Sequence, residues 1–198
     1  MSQDANVQEG NPMSGIIRTY KRDEDAVLHF REAWYDDEFN QFVVNHGVVG
    51  HQSRTEEADV EDGDSVESLM AAFAAQCEED GYEEIPEAEQ FWVVAQIALK
   101  TKDGTERDRY LERKAKAALT SELAWRGLGV VDRSEIADSK LNIFCLCPDV
   151  NKAVNAIKVC IRGEDLDFTK LSIAASPHGA PGEFKVKHSP KTGAGFTL

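Results

Sequence analysis

Between Ile16 and Arg54 the apolar residues fall in short blocks, Ile16-Ile17, Ala26 to Phe30 and Phe39 to Val44, separated by charged clusters at Lys21 to Asp25 and Asp36 to Glu38. Blocks of this length between turn-forming clusters predict strands joined by hairpins. The period then changes. Val66, Leu69, Met70, Phe73 and Cys77 recur at i, i+3, i+4, i+7 and i+11, which predicts a helix with one apolar face. Asp64 and Glu67 have capping-box spacing at its start, and Gly81 suits the left-handed residue that ends it. Such a stripe must pack on a sheet. The charge run from Glu56 to Glu67 reads as a solvated loop.

Past Pro86 the order is strand, helix, strand, strand, helix, strand. Phe91 to Lys100 is continuously apolar enough for a buried strand, and Asp103-Gly104 turns the chain into a helix from about Glu106 to Arg126, stopped by Gly127. Leu128 to Asp132 and Leu141 to Cys147 predict an antiparallel pair. Asp149 is placed to cap a helix with Val150, Ala153, Val154, Ile157 and Ile161 on one face, and Phe168 to Ala175 is the last strand. This βαββαβ order resembles a ferredoxin-like domain. The predicted class is α+β. Residues 1–14 read as a flexible leader, 15–85 as an antiparallel sheet with one helix, 90–176 as the βαββαβ unit, and 177–198 as a flexible Gly/Pro-rich tail in which Phe184 to Val186 could add a short strand.

Charge sharpens this division. Up to Glu89 the chain has 23 acidic and 5 basic residues, a balance of −18, whereas the remainder has 13 acidic and 17 basic, a balance of +4. An anionic front and a mildly cationic rear fit two modules. The front repels phosphate, which disfavours nucleic acid as its partner and favours a protein partner of basic character. Hydrophobic residues at 41% allow a core, and no apolar run reaches the roughly 18 residues of a membrane span. Met1 to Ser14 has no signal-peptide character, so the expectation is a cytoplasmic protein without a membrane.

The segment His46-Gly47-Val48-Val49-Gly50, preceded by aromatic-rich strands around Phe30, Trp34, Phe39 and Phe42 and followed by the Ser65 to Glu79 helix and Gly81-Tyr82-Glu83, resembles the W-G-R-[VI]-G region of a WGR domain. That family is best known in poly(ADP-ribose) polymerases and bacterial proteins, and the resemblance covers roughly a third of the chain. It implies an antiparallel sheet with one helix. The family's Trp aligns with His46 and its Arg with Val48, so the residues that engage DNA or a neighbouring domain in the polymerases are replaced, while the turn glycines Gly47 and Gly50 remain.

Candidate chemistry adds little. His29, His46 and His51 share an acidic region, but no pair has i, i+4 spacing and no cysteine joins them, so no metal is assigned. Cys145 and Cys147 point the same way on a strand and read as small buried hydrophobes. His178 and His188 lie in the tail, away from any nucleophile, and no phosphate-cradling glycine motif is present. No cofactor and no catalytic residue is assigned. The largest basic stripe is Arg109, Arg113 and Lys116 on one helix face, read as solvated or as docked on the acidic front module, the latter predicting salt-sensitive association.

The expectation is therefore a non-enzymatic interaction protein whose acidic first domain meets a protein partner, an immunity or antitoxin role being one form. The alternative is a nucleic-acid accessory factor using the WGR-like fold and the basic helix. The tentative interaction surface is His46, Gly47, Val48 and Gly50 with Arg109, Arg113 and Lys116.

Overall fold

The computed structural model describes residues 15–61, 65–180, 182, 184–191, 193 and 195–198. The leader 1–14 and the expected cap Asp64 lie outside them. The described residues form an α+β fold with two antiparallel sheets and three helices. The first sheet is a meander of β1 (Ile17–Arg22), β2 (Leu28–Asp36), β3 (Gln41–Val48) and β4 (Arg54–Asp59) in that order. Asp23 closes the first hairpin by accepting from the amides of Asp25 and Val27, and Asp36 closes the second by accepting from those of Glu38 and Phe39. Both charged clusters are turns because a short carboxylate can satisfy the amides that a tight reversal frees.

Two expectations are corrected here. The charge run Glu56 to Glu67, expected as a solvated loop, begins inside a strand: Arg54–Asp59 forms β4, paired to β3 from Gln41↔Asp59 to His46↔Arg54. Its carboxylates are tolerated because the strand lies at an edge, where charge also discourages further pairing. Gly47, expected in a turn, sits inside β3 opposite Phe30, and the left-handed turn falls at Gly50, at φ +89°.

Helix α1 (Val66–Glu79) starts at Ser65, whose hydroxyl accepts from the Ser68 amide, and is followed by Gly81 at φ +79°. It packs on one face of the first sheet. There Phe73 meets Phe42 edge to face at 6.3 Å, and Arg31 reaches Asp80 while its guanidinium lies 4.3 Å over Tyr82. Arg31 holds the Asp80 carboxyl below the usual carboxylate range.

The second sheet has the order β6-β7-β5-β8-β9, built from β5 (Phe91–Ala98), β6 (Val130–Ala137), β7 (Lys140–Cys147), β8 (Leu171–Pro177) and β9 (Lys185–His188). Helices α2 (Glu106–Ala124) and α3 (Val150–Gly163) cover one face. Thr105 and Asp108 form a reciprocal capping box for α2, and Asp149 caps α3 by accepting from the Lys152 amide. Phe168–Lys170, expected as the start of the last strand, is a single 3-10 turn that enters β8. Described residues of 177–198, expected to be a flexible tail, are held in place: Lys185–His188 form β9, and Thr197 lies on the open face of the sheet. There the Thr197 carbonyl accepts from Gln96 Nε2 at 2.9 Å and Lys140 Nζ at 2.7 Å, and Phe184 lies 5.8 Å from Phe196.

The two sheets share one core. Tyr20, Leu28, Phe30 and Val49 of the first join Val93, Leu123, Leu128, Cys147 and Ile157 of the second in a single buried cluster. The ring of Phe30, fully buried, lies against Gly127, where an added Cβ would stand 2.3 Å from the ring carbons. Backbone bonds flank this contact, with the Gly50 amide donating to the Arg126 carbonyl at 2.8 Å and the Ser53 amide to the Trp125 carbonyl at 2.9 Å. The expected salt-sensitive dock through Arg109, Arg113 and Lys116 is corrected. Among the described residues none of the three bonds to residues 15–85, and the buried cluster that joins the two sheets is apolar.

Gly127 has φ +59°, so Gly127→Ala combines a left-handed strain with a clash against Phe30. The substitution is expected to remove about 2 to 5 kcal/mol of stability, read as the shift of the urea midpoint. A loss below about 1 kcal/mol would show that the approach is not close.

Candidate functional site

The face of the first sheet turned away from α1 is set by strand alternation. The cross-strand pairs Arg18↔Glu32, Tyr20↔Phe30, Trp34↔Val43 and Asn45↔Thr55 place these residues on one side. Toward the β1 turn this side is sealed by Phe30 on Gly127. Beyond it the sheet and the C-terminal turn of α2 diverge, leaving a groove of about 610 Å³. Glu32, Trp34, Val43 and Asn45 form its floor, Thr120, Ser121, Ala124 and Trp125 its roof, and Ile16 and Phe39 its ends.

Each wall has a local cause. Phe39 is 65% exposed because the Asp36 carboxylate fixes the turn that carries it and Asn40 follows at φ +54°. Trp125, 44% exposed, is the C-cap of α2; its carbonyl is tied to Ser53 and its side chain lines the groove. In the floor, Glu32 is buried and paired with Arg18 at 2.7 Å. Burial, the largest single influence, pulls the Arg18 basicity down, but the charge and hydrogen bond of Glu32 together with the neighbouring Tyr20 and Cys147 outweigh it, so Arg18 is held as a cation. Asn45 is satisfied by the Thr55 hydroxyl, which donates at 2.6 Å.

The open carboxylates at the groove are Asp36 and Glu57, neither of which forms an ion pair among the described residues. The groove therefore offers aromatic surface beside unneutralised negative charge. Carboxylates and ring faces both attract ammonium and guanidinium groups.

A second hollow of about 420 Å³ lies beyond Arg18, between Tyr20, Pro86, Gln90 and Gly129, and burial pushes the Tyr20 phenol upward. A third, about 190 Å³, lies beside Gly50, Arg126 and Lys152. Arg126 is paired there with Glu122 at 2.6 Å.

The expected surface residues are not brought together. His46 lies on the α1 side of the first sheet, 3.2 Å from Glu56, and Val48 pairs with His29 across the hairpin. Gly50 alone touches the second unit, against the Lys152 side chain. Arg109 and Arg113 are exposed on α2, and Arg109 bonds to Glu112 at 3.3 Å.

Cys145 and Cys147 are buried in the shared core, and burial pushes the Cys145 thiol up to about 12 and the Cys147 thiol also upward. Thiols held protonated are poor nucleophiles. Burial likewise raises Cys160 to about 11. His29 pairs with Asp23 at 2.9 Å, and His178 packs on Trp92 with ring centres 5.1 Å apart. Among the described residues no three His, Cys, Asp or Glu side chains gather to hold a metal ion, and no helix is long and apolar enough to cross a membrane.

Sequence reasoning passed over Trp125, the exposure of Phe39 and the place of Ile16, read there only as strand, in this groove. The signal was present in Phe39, an aromatic inside the Asp36 to Asn40 turn, and in Trp125, which falls just past the apolar stripe of its helix. No protein-family model matches the chain, and neither a curated protein nor a solved structure matches it.

Glu32→Gln should leave the Arg18 guanidinium buried without its counter-ion and lower stability by about 3 to 5 kcal/mol in urea unfolding, whereas Glu57→Gln at the exposed rim should change it by under about 0.5 kcal/mol. Equal effects would contradict the buried pair.

Proposed function

We propose that the chain is a non-enzymatic interaction protein in which the acidic first unit, together with the end of α2, receives a cationic segment of a protein partner. One observation carries this reading. Three of the large exposed apolar side chains, Ile16, Phe39 and Trp125, converge on one groove beside the unpaired carboxylates of Asp36 and Glu57. Scattered exposed hydrophobics are ordinary, but a contiguous set with a polar rim marks an interaction site. The volume of about 610 Å³ suits several side chains of a peptide segment. Apolar anchors would supply the affinity and the carboxylates would select basic partners and speed their approach. An immunity or antitoxin role is one form, because an acidic decoy can occupy the cationic site of a nuclease.

The same reading extends to the fold types. A four-strand meander with one packed helix supports a WGR-like first unit, and the β6-β7-β5-β8 order with two helices on one face supports a ferredoxin-like second unit. The replacement of the WGR tryptophan and arginine by His46 and Val48 supports a function moved from that turn to the groove.

Selection of displayed random peptides on the full chain tests the proposal. Enriched sequences should combine Lys or Arg with Leu, Phe or Trp, bind with a change in tryptophan fluorescence, and lose roughly tenfold or more in affinity to Asp36→Lys/Glu57→Lys or Trp125→Ala. Enrichment without basic residues, or binding indifferent to these substitutions, would contradict it.

A further inference from the structure

We propose a second surface, separate from the groove: the flank formed by β9 and the last turns of α3 binds the phosphate backbone of single-stranded nucleic acid. The pairings Ala175↔Lys185 and Ile173↔His188 place Lys185 and His188 on the helix side of the sheet, because Ala175 and Ile173 belong to the core beneath the helices. On α3, Lys158 and Arg162 face the same place. Burial lowers the His188 basicity, and the charges of Lys158 and Arg162 lower it further, which marks the three as neighbours.

Among the described residues, none of Lys158, Arg162, Lys185 and Lys187 forms an ion pair. The bordering carboxylates Glu164 and Asp167 are engaged by Lys114 and Lys170. By contrast, the α2 stripe is partly neutralised by the Arg109–Glu112 pair.

Aromatic stacking accompanies the charge. The Arg162 guanidinium lies 3.8 Å from the centre of the Phe168 ring, and Phe168 stacks on His188 at 4.9 Å. Arg162 is exposed, which puts its guanidinium at the surface beside this ring. Lysines that follow a backbone beside a planar stacking group are the combination that holds single strands.

The net charge of −14 does not oppose this locally. Lys152, which touches Gly50 of the first unit, precedes Arg162 by ten residues of α3, or about 15 Å of helix. The Debye length at physiological salt is about 8 Å, so the acidic front is largely screened from the flank.

Fluorescence anisotropy of the full chain with labelled mixed-sequence RNA and DNA single strands of about 20 nucleotides tests this. Binding is expected at about 50 mM salt and should weaken roughly twentyfold by about 200 mM if about three phosphates are neutralised. Lys185→Glu/Lys187→Glu should bind at least roughly tenfold more weakly, while Arg109→Glu/Arg113→Glu binds like the native chain. Trp125→Ala should also bind like the native chain, which keeps this result distinct from the fate of the groove. The proposal is overturned by absence of binding at low salt, by unchanged binding of the β9 variant, or by equal competition from poly-glutamate, which would assign the flank to acidic proteins.

Discussion

The seating of Phe30 on Gly127 is the contact on which the rest of the molecule depends. A ring can lie directly on a backbone only where no Cβ intervenes, and the left-handed residue that ends α2 is a glycine at that point. One residue thus stops a helix and opens the socket for the first sheet. The hydrogen bonds from Gly50 and Ser53 to the carbonyls of Arg126 and Trp125, just past α2, fix the angle between them, and those carbonyls would otherwise lack partners beyond a helix end. That angle creates the groove, since the sheet closes on the helix at Phe30 and opens from it at Trp34 and Trp125.

Electrostatics plays a different part from the one the charge distribution suggests. The acidic front and the mildly cationic rear meet through a fused apolar core, with the ion pair Arg18–Glu32 buried near the seam. Burial of Phe30 alone is worth about 1.5 to 3 kcal/mol, more than the median exposed ion pair at about 0 to 1 kcal/mol. Charge is left free for the outer surfaces. It gathers as carboxylates around the groove and as lysines along β9, so the two proposed binding surfaces have opposite sign.

Much of the fold was legible in the sequence. The α1 stripe, the Asp149 cap of α3, the glycines that end α1 and α2 and the strand-helix order after Pro86 all rest on local patterns, and local patterns survive folding. What could not be read is non-local. Strand β4 has no apolar alternation, and only the free edge of β3 makes it a strand. Gly47 looked like a turn residue because its place inside β3, opposite Phe30, depends on strand register. The groove unites Trp34 of β2 with Trp125 at the end of α2, residues far apart in sequence, and the C-terminal stretch is held by Thr197, whose bonds to Gln96 and Lys140 reach across more than fifty residues.

The central claim is that the two sheets form one cooperative body through the Phe30 socket. Native-state hydrogen exchange of the full chain across a urea series tests it most directly. The amides of Gly50 and Ser53, those of β2 and those of β5 should share one opening free energy and one urea dependence, that of global unfolding. Exchange of the Gly50, Ser53 and β2 amides through a lower-energy opening, while β5 stays protected, would contradict it.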